Sequence, residues 1–158
     1  MRRLTSTLAA TVLALAACAA LAHAAAAYKS DLKGSQTASA ESEGVALRLN
    51  ASGDLHGMLS LTLKRDGGNV TGGTWELTVL PPNADASSSE KGKLTGVVSG
   101  GTLTVDAHGI VTSAASVQLS VQGGTGDYAA VTSGGGTVSL SADPENASRL
   151  GGPLALDF

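Results

Sequence analysis

Hydrophobic and polar positions alternate with a period of two along most of this chain from Val45 onward. Val45, Leu47 and Leu49 take one side, Arg48 and Asn50 the other. The stretch "MLSLTLK" sets Leu59, Leu61 and Leu63 against Ser60, Thr62 and Lys64. The stretch "TWELTVL" sets Trp75, Leu77 and Val79 against Thr74, Glu76 and Thr78. Further on, the apolar side passes to Leu103 and Val105, then to Val117, Leu119 and Val121, then to Val138 and Leu140. The chain closes on Leu154, Leu156 and Phe158. Successive side chains of a strand point to opposite faces, so each run predicts a strand with one apolar face. The partner positions are rich in Thr and Ser, which suits a solvated sheet surface. Turn signals lie between the runs: "SGD", "RDGGN", "SGG", "AHG", "GGTGD" and "SGGG".

Three stretches break the rhythm. Residues 81–92, "PPNADASSSEKG", read as a longer polar loop. Residues 142–153, "ADPENASRLGGP", read as a connection with room for one helical turn. Residues 28–43, "YKSDLKGSQTASAESE", are polar without periodicity and predict a flexible leading segment. Eight or nine strands joined by short turns, with no amphipathic helix among them, imply antiparallel pairing. The apolar face must be covered. The predicted fold is therefore all-β, an eight- or nine-stranded antiparallel β-barrel, with a two-sheet β-sandwich as the alternative that strand count does not separate.

The first residues follow another plan. Arg2 and Arg3 precede an apolar run from Leu4 to about Leu21, and small residues follow. That is the three-part layout of a bacterial secretory signal. The run is mostly Ala, which is weakly hydrophobic for a membrane span. Residues 1–24 are thus predicted to be a signal helix, cut after Ala22-His23-Ala24. Residues 25–43 are then the flexible polar segment and residues 44–158 a single β-barrel domain. The expected location is exported, periplasmic or secreted. A competing site, Leu15-Ala16-Ala17-Cys18, looks like a bacterial lipobox, which would make Cys18 a lipidated anchor.

Charge and cysteine content narrow the function classes. The chain carries 10 Lys+Arg and 13 Asp+Glu. Loss of Arg2 and Arg3 with the signal makes it more acidic, and without a basic patch it is a poor partner for nucleic acid. One Cys allows neither a disulfide framework nor a thiolate metal site. His56 and His108 sit beside Gly in turns with Asp54 and Asp106 nearby. Imidazole and carboxylate are zinc ligand types, but no close ligand spacing joins them, so no metal site is assigned. No Ser-His-Asp or Cys-His set can be assembled, which argues against an enzyme.

The stretch "GGTGDYAAVTSGGGTVSL", residues 123–140, poses the sharpest question. A phosphate-binding loop would want a Lys after its last Gly and a helix behind it, and a dinucleotide fingerprint would want a strand-to-helix turn. Neither is present, and no cofactor is implied. The glycines instead supply positive φ for a tight or bulged hairpin. Gly123, Gly124, Thr125, Gly126 and Tyr128, with Gly134 to Gly136 behind them, resemble the Gly-Gly-Thr/Ser-Gly-x-Phe/Tyr segment of the allene oxide cyclase and dirigent-like barrels. The resemblance covers residues 115–141. It implies an eight-stranded antiparallel barrel in which this segment joins two strands, with Gly123, Gly124, Gly126, Gly134 and Gly136 as structural glycines. It also raises the activity of a cyclase or stereochemical guide working in a polar-lined cavity.

Four residues are candidates for a ligand-binding site. Tyr128 and Asp127 follow the glycine turn, and Tyr128 should point inward with its hydroxyl at the rim. Glu76 should be a solvated charge paired across its strand, or else a carboxylate lining the barrel beside Trp75. The reading that gathers these observations is an exported, non-catalytic β-barrel that binds a small apolar ligand or a protein. Its alternatives are the cyclase or dirigent-like activity and a small outer-membrane or surface structural protein, the last prompted by the terminal Phe158.

Overall fold

The computed structural model describes residues 26–38, 44–84 and 89–158. Residues 1–24, expected to be a signal helix, and Cys18 lie outside the described residues. Eight antiparallel strands run in sequence order around a closed barrel. They are β1 (Ala27–Ala38), β2 (Gly44–Gly53), β3 (His56–Asp66), β4 (Asn69–Leu80), β5 (Gly92–Val105), β6 (Val111–Gly124), β7 (Gly134–Asp143) and β8 (Asn146–Asp157). Closure comes from β1 pairing with β8, so that Ser30 faces Leu154 and Leu32 faces Gly152. Ala26 and Phe158 seal the seam with two backbone bonds, 3.0 and 3.2 Å. A barrel leaves no strand edge, whereas a sandwich would have left four.

The alternation seen in the sequence is the inside and outside of this barrel. Leu47, Leu49, Leu59, Leu61, Leu63, Leu77, Leu154 and Leu156 are buried, as are Trp75, Val79, Leu103, Val117, Leu119, Val121, Val138 and Leu140. They join one continuous apolar cluster that fills the barrel. Eight strands enclose just enough space for side chains to meet at the axis. Val105 and Tyr128, expected inside, are only half-buried against that cluster. The outward positions are Thr, Ser, Gln and charge, including Thr62, Thr74, Thr95, Gln118, Thr137, Lys33 and Arg48. Among the described residues no helix is long and apolar enough to cross a membrane. A lipid-facing barrel would carry an apolar outer band between aromatic girdles, and this outer face carries neither.

Strand curvature is written in glycine. Gly73 on β4 holds φ at 147° and Gly152 on β8 at 155°, a region open to almost no other residue. A Cβ at Gly73 would run into the Thr62 carbonyl oxygen of β3, and one at Gly152 into that of Ser139 on β7. Missing side chains let the strands bend and approach at these corners. Bulges add to the bend: β5 and β6 shift register at Gly100, and β6 and β7 shift between Ala114 and Val117, where Ser116 takes φ 50°.

Two sequence expectations change. The polar stretch 25–43 is not merely a flexible lead-in, because residues 27–38 form β1, a full member of the barrel. Residues 142–153 hold no helical turn; they are the end of β7, a tight turn and the start of β8. Among the described residues the single short helical turn lies instead at Gly126–Tyr128, inside the glycine-rich segment.

Each barrel end is closed by specific side chains. At the end where Ala26 meets Phe158, Tyr28 stacks on Phe158 with centroids 4.6 Å apart, and Tyr128 meets Phe158 edge-on at 6.1 Å. There too, Ser30 is the one buried polar residue among those described. Its hydroxyl donates to the Leu55 carbonyl at 2.9 Å and accepts from the Leu55 N–H at 3.1 Å, pinning the β2–β3 turn. At the opposite end, Gln36 reaches across to the β5–β6 turn. It donates to the Gly109 carbonyl at 3.0 Å and accepts from the Val111 N–H at 2.9 Å.

Candidate functional site

The glycine-rich segment joins β6 to β7 and folds back onto the start of β5. Gly126 takes φ 60°, and a Cβ there would collide with the Lys91 carbonyl. Its neighbours spend their backbone N–H groups within the protein. Thr125 donates to the Lys93 carbonyl at 2.9 Å, Asp127 to that of Lys91 at 2.8 Å, and Tyr128 to that of Thr125 at 3.1 Å. The Thr125 hydroxyl accepts from the Lys93 N–H at 3.2 Å. An anion cradle needs free N–H groups that converge on one point, and these diverge into partners. The loop is a clasp. Gly124 and Gly134 allow close approach to Tyr128 and Asp157, where a Cβ would overlap backbone atoms, and Gly136 does the same toward Ala155. Gly123 faces open space and no contact demands a glycine there.

Tyr128 is thereby set at the barrel rim, with its ring on Phe158. Burial raises its phenol above the ordinary tyrosine value, and the charges of Tyr28 and Asp127 add to the shift. Asp127 beside it is exposed. The pair shapes the rim and does not enclose a cavity.

Trp75 and Glu76 lie elsewhere, in the middle of β4 and on opposite faces of it. The indole points inward, is 3% exposed, and passes over Gly96 so that Nε1 donates to the Ser120 carbonyl at 3.2 Å. Its path across β5 exists because Gly96 has no side chain. Glu76 points outward and accepts from Lys93 Nζ at 3.0 Å, with both side chains well exposed. That hydrogen bond, and then the Glu76 charge, raises the Lys93 ammonium above its usual value. Glu76 is the solvated cross-strand charge and not a barrel-lining carboxylate. Ser60, Thr62, Thr74, Thr95 and Gln122 surround it in a shallow outer depression of about 350 Å³.

The two turn histidines are separated by the barrel. His56 begins β3 at the end where Ala26 meets Phe158, and its Nδ1 accepts from the Gly53 N–H at 3.4 Å. His108 lies in the β5–β6 turn at the opposite end. Asp106 organises that turn by accepting from the His108 and Ile110 N–H groups at 2.8 and 2.9 Å. These bonds, the one from Ile110 foremost, hold its carboxyl below the ordinary aspartate value. Asp54 accepts from the Lys29 N–H at 2.8 Å. Among the described residues no three His, Cys, Asp or Glu side chains gather as a metal site.

One concavity was not foreseen. An open groove of about 660 Å³ crosses the outside of β7, β8 and β1, lined by Lys33, Ser35, Asn50, Ser141, Asp143 and Arg149. Half of these polar residues, Lys33, Ser35 and Arg149, come from β1 and the start of β8, the two segments whose polarity hid them as strands. A scan of protein-family models, a search of curated proteins and a search of solved structures found no match to this chain.

Proposed function

We propose that this chain is an exported, non-catalytic β-barrel that works through its outer surface as a binding module. One observation carries the reading: the barrel interior is occupied from end to end by Leu, Val and Trp side chains, with Ser30 as the buried polar group. Ligand pockets are hollow and carry a few convergent polar groups. This interior is packed, and its polar groups at either end bond to turns. A core of this kind speaks for surface binding over the cavity chemistry of a cyclase or dirigent-like protein. Two concavities lie on the outside, on faces of hydroxyl, amide and charged groups. Export rests on the N-terminal sequence plan.

The test has two parts. Titration with an apolar fluorescent probe and with medium-chain fatty acids should show no saturable uptake and no change in Trp75 emission. Stoichiometric uptake with a Trp75 response would overturn the filled-barrel reading. N-terminal sequencing of the protein from the cell envelope should begin near Ala25. An uncut chain in the cytoplasm would overturn export, and a lipid on Cys18 would make the module an anchored one.

A further inference from the structure

The groove across β7, β8 and β1 has a construction of its own. In register, Ser141 faces Gly151 and Gly151 faces Lys33, which in turn faces Asn50 on β2. With no side chain at Gly151, the outward row has a gap one strand wide. Ser141 and Lys33 stand as walls two strand spacings apart, roughly 10 Å. One step along β8, Arg149 faces Ser35 of β1. Lys33 and Arg149 thus border the same gap, and both are exposed. Among the described residues the one ion pair within 4.0 Å is that of Lys93 and Glu76, so within them neither groove cation is in an ion pair. Asp143 stands at the turn end of the groove, where its carboxylate accepts from the Glu145 N–H at 2.9 Å. Among the described residues, Glu145 on that turn and Asp31 further along β1 are the other acids nearby; Glu41 and Glu43, in the connection from β1 to β2, lie outside the described residues.

We propose that this groove binds an acidic carbohydrate, with an oxyanion seated between Lys33 and Arg149 and hydroxyl groups bonded to Asn50, Ser35, Ser141 and Asp143. The proposal rests on the outer-surface reading above. The chain as a whole is acidic, whereas the lining of this groove carries two cations, Lys33 and Arg149, against one acid, Asp143. Guanidinium and ammonium groups both make charge-assisted bonds to oxyanions, Arg with a fork that fits carboxylate. A bare phosphate would use the cations but gain nothing from Asp143, which repels it. A sugar acid gives that carboxylate hydroxyl donors to accept from. No aromatic ring lines the groove, so each sugar contributes modestly and affinity builds along a chain of residues.

Calorimetric titration of the full mature chain at low ionic strength decides the matter. Oligogalacturonate is the acidic sugar, a neutral dextran oligomer of equal length is its control, and inorganic phosphate tests for charge alone. Oligogalacturonate should bind and the other two should not. The Lys33→Ala/Arg149→Ala pair should weaken binding by at least about tenfold, the loss of two charge-assisted contacts. The charge-matched Lys64→Ala/Lys91→Ala pair, away from the groove, should stay within about twofold. Gly151→Val fills the floor and removes no charge; its Cβ meets the Leu32 carbonyl at 3.3 Å, which must give by a few tenths of an ångström, with the Lys33 Cγ next at 3.9 Å. It should weaken binding as the cation pair does. Absence of oligogalacturonate binding, equal binding of dextran or phosphate, equal loss in both double variants, or full affinity in Gly151→Val would each overturn the proposal. Failure here leaves the filled-barrel reading intact, because probe uptake and not sugar binding measures that.

Discussion

Replacing Gly96 with Ala adds one methyl group and should cost more than most single substitutions in this barrel. The new Cβ would lie inside van der Waals range of the Ser120 carbonyl oxygen, 2.7 Å from Trp75 Nε1 and 2.9 Å from the Ser120 carbonyl carbon. Something must move, and the nearest atoms are the backbone of β6 and a core indole. Overpacking of this kind costs about 1–3 kcal/mol. The same displacement breaks the 3.2 Å bond from the indole to Ser120, worth about 1 kcal/mol for a buried pair. Together they come to roughly 2–4 kcal/mol, or a fall in Tm of about 8–15 °C in a domain of this size. Thermal unfolding followed by circular dichroism measures it. Trp75 is the sole tryptophan, so its emission reports the site directly and should shift to the red. The double variant Trp75→Phe/Gly96→Ala separates the two culprits. If the backbone contact dominates, as its shorter distance indicates, Phe restores little. A Gly96→Ala protein melting within about 2 °C of the parent, with unchanged emission, would refute the argument.

Other outcomes follow from the same geometry. Gly126→Val puts a branched side chain at φ 60° against the Lys91 carbonyl, and its Tm should fall by several degrees for a strain of about 1–2 kcal/mol or more; ATP, NAD and phosphate should leave the parent Tm unchanged, and an upward shift with any of them would revive the anion-loop reading. The Asp106 carboxyl is held below its ordinary value in the folded chain, so its contribution is present above the unfolded aspartate pKa and is lost as pH falls through the folded one. Parent and Asp106→Asn should therefore converge in Tm on acidification from about pH 5 toward pH 2, and curves that stay parallel would disprove it. The raised Tyr128 phenol has the opposite sign: its contribution is full below the unfolded value near 10 and is lost as pH rises through the folded one. Tyr128→Phe should blunt the alkaline loss of Tm, and an unchanged alkaline limb would count against the rim contact.

The strands that could be read in advance are those whose inward residues are large and apolar at every second place. β3 and β4 are of this kind, with Leu59, Leu61 and Leu63 facing Leu77, Trp75 and Gly73. β1 could not be read that way. Its inward positions are Tyr28, Ser30, Leu32, Gly34 and Gln36, and only Leu32 is a fully buried apolar side chain. Ser30 and Gln36 are inward because they hold turns, and Gly34 because a Cβ would strike the Arg48 carbonyl. On β5, Gly96 interrupts Leu94 and Val98, and the register shifts around Gly100 change the parity before Leu103. Barrel and sandwich bury the same face, so alternation alone could not choose. The choice lies in the pairing of β1 with β8, and β1 was the strand composition concealed. The outer groove was hidden with it. The glycine turn was legible because φ > 0 leaves a mark in sequence, whereas the indole bond over Gly96 leaves none.

A ring assembled in sequence order has a single joint that is not local. Seven of the strand pairs link neighbours in the chain, while β1 and β8 join Ala26 to Phe158. Bringing those ends together costs about 4 kcal/mol beyond the constant part of loop closure for some 130 residues, and nothing offsets it until the last strand is available. During synthesis β1 comes first and β8 last. From its own appearance until β8 is made, β1 can pair on one side only, with β2. Its other side waits with backbone groups unpaired, the condition in which strands join the wrong partner. Lys29, Asp31 and Lys33 on its outward face, with Ser30 and Gly34 inward, make that waiting strand a poor template for aggregation. The polarity that made β1 look like a tether suits it to being the half of a seam that stays open longest.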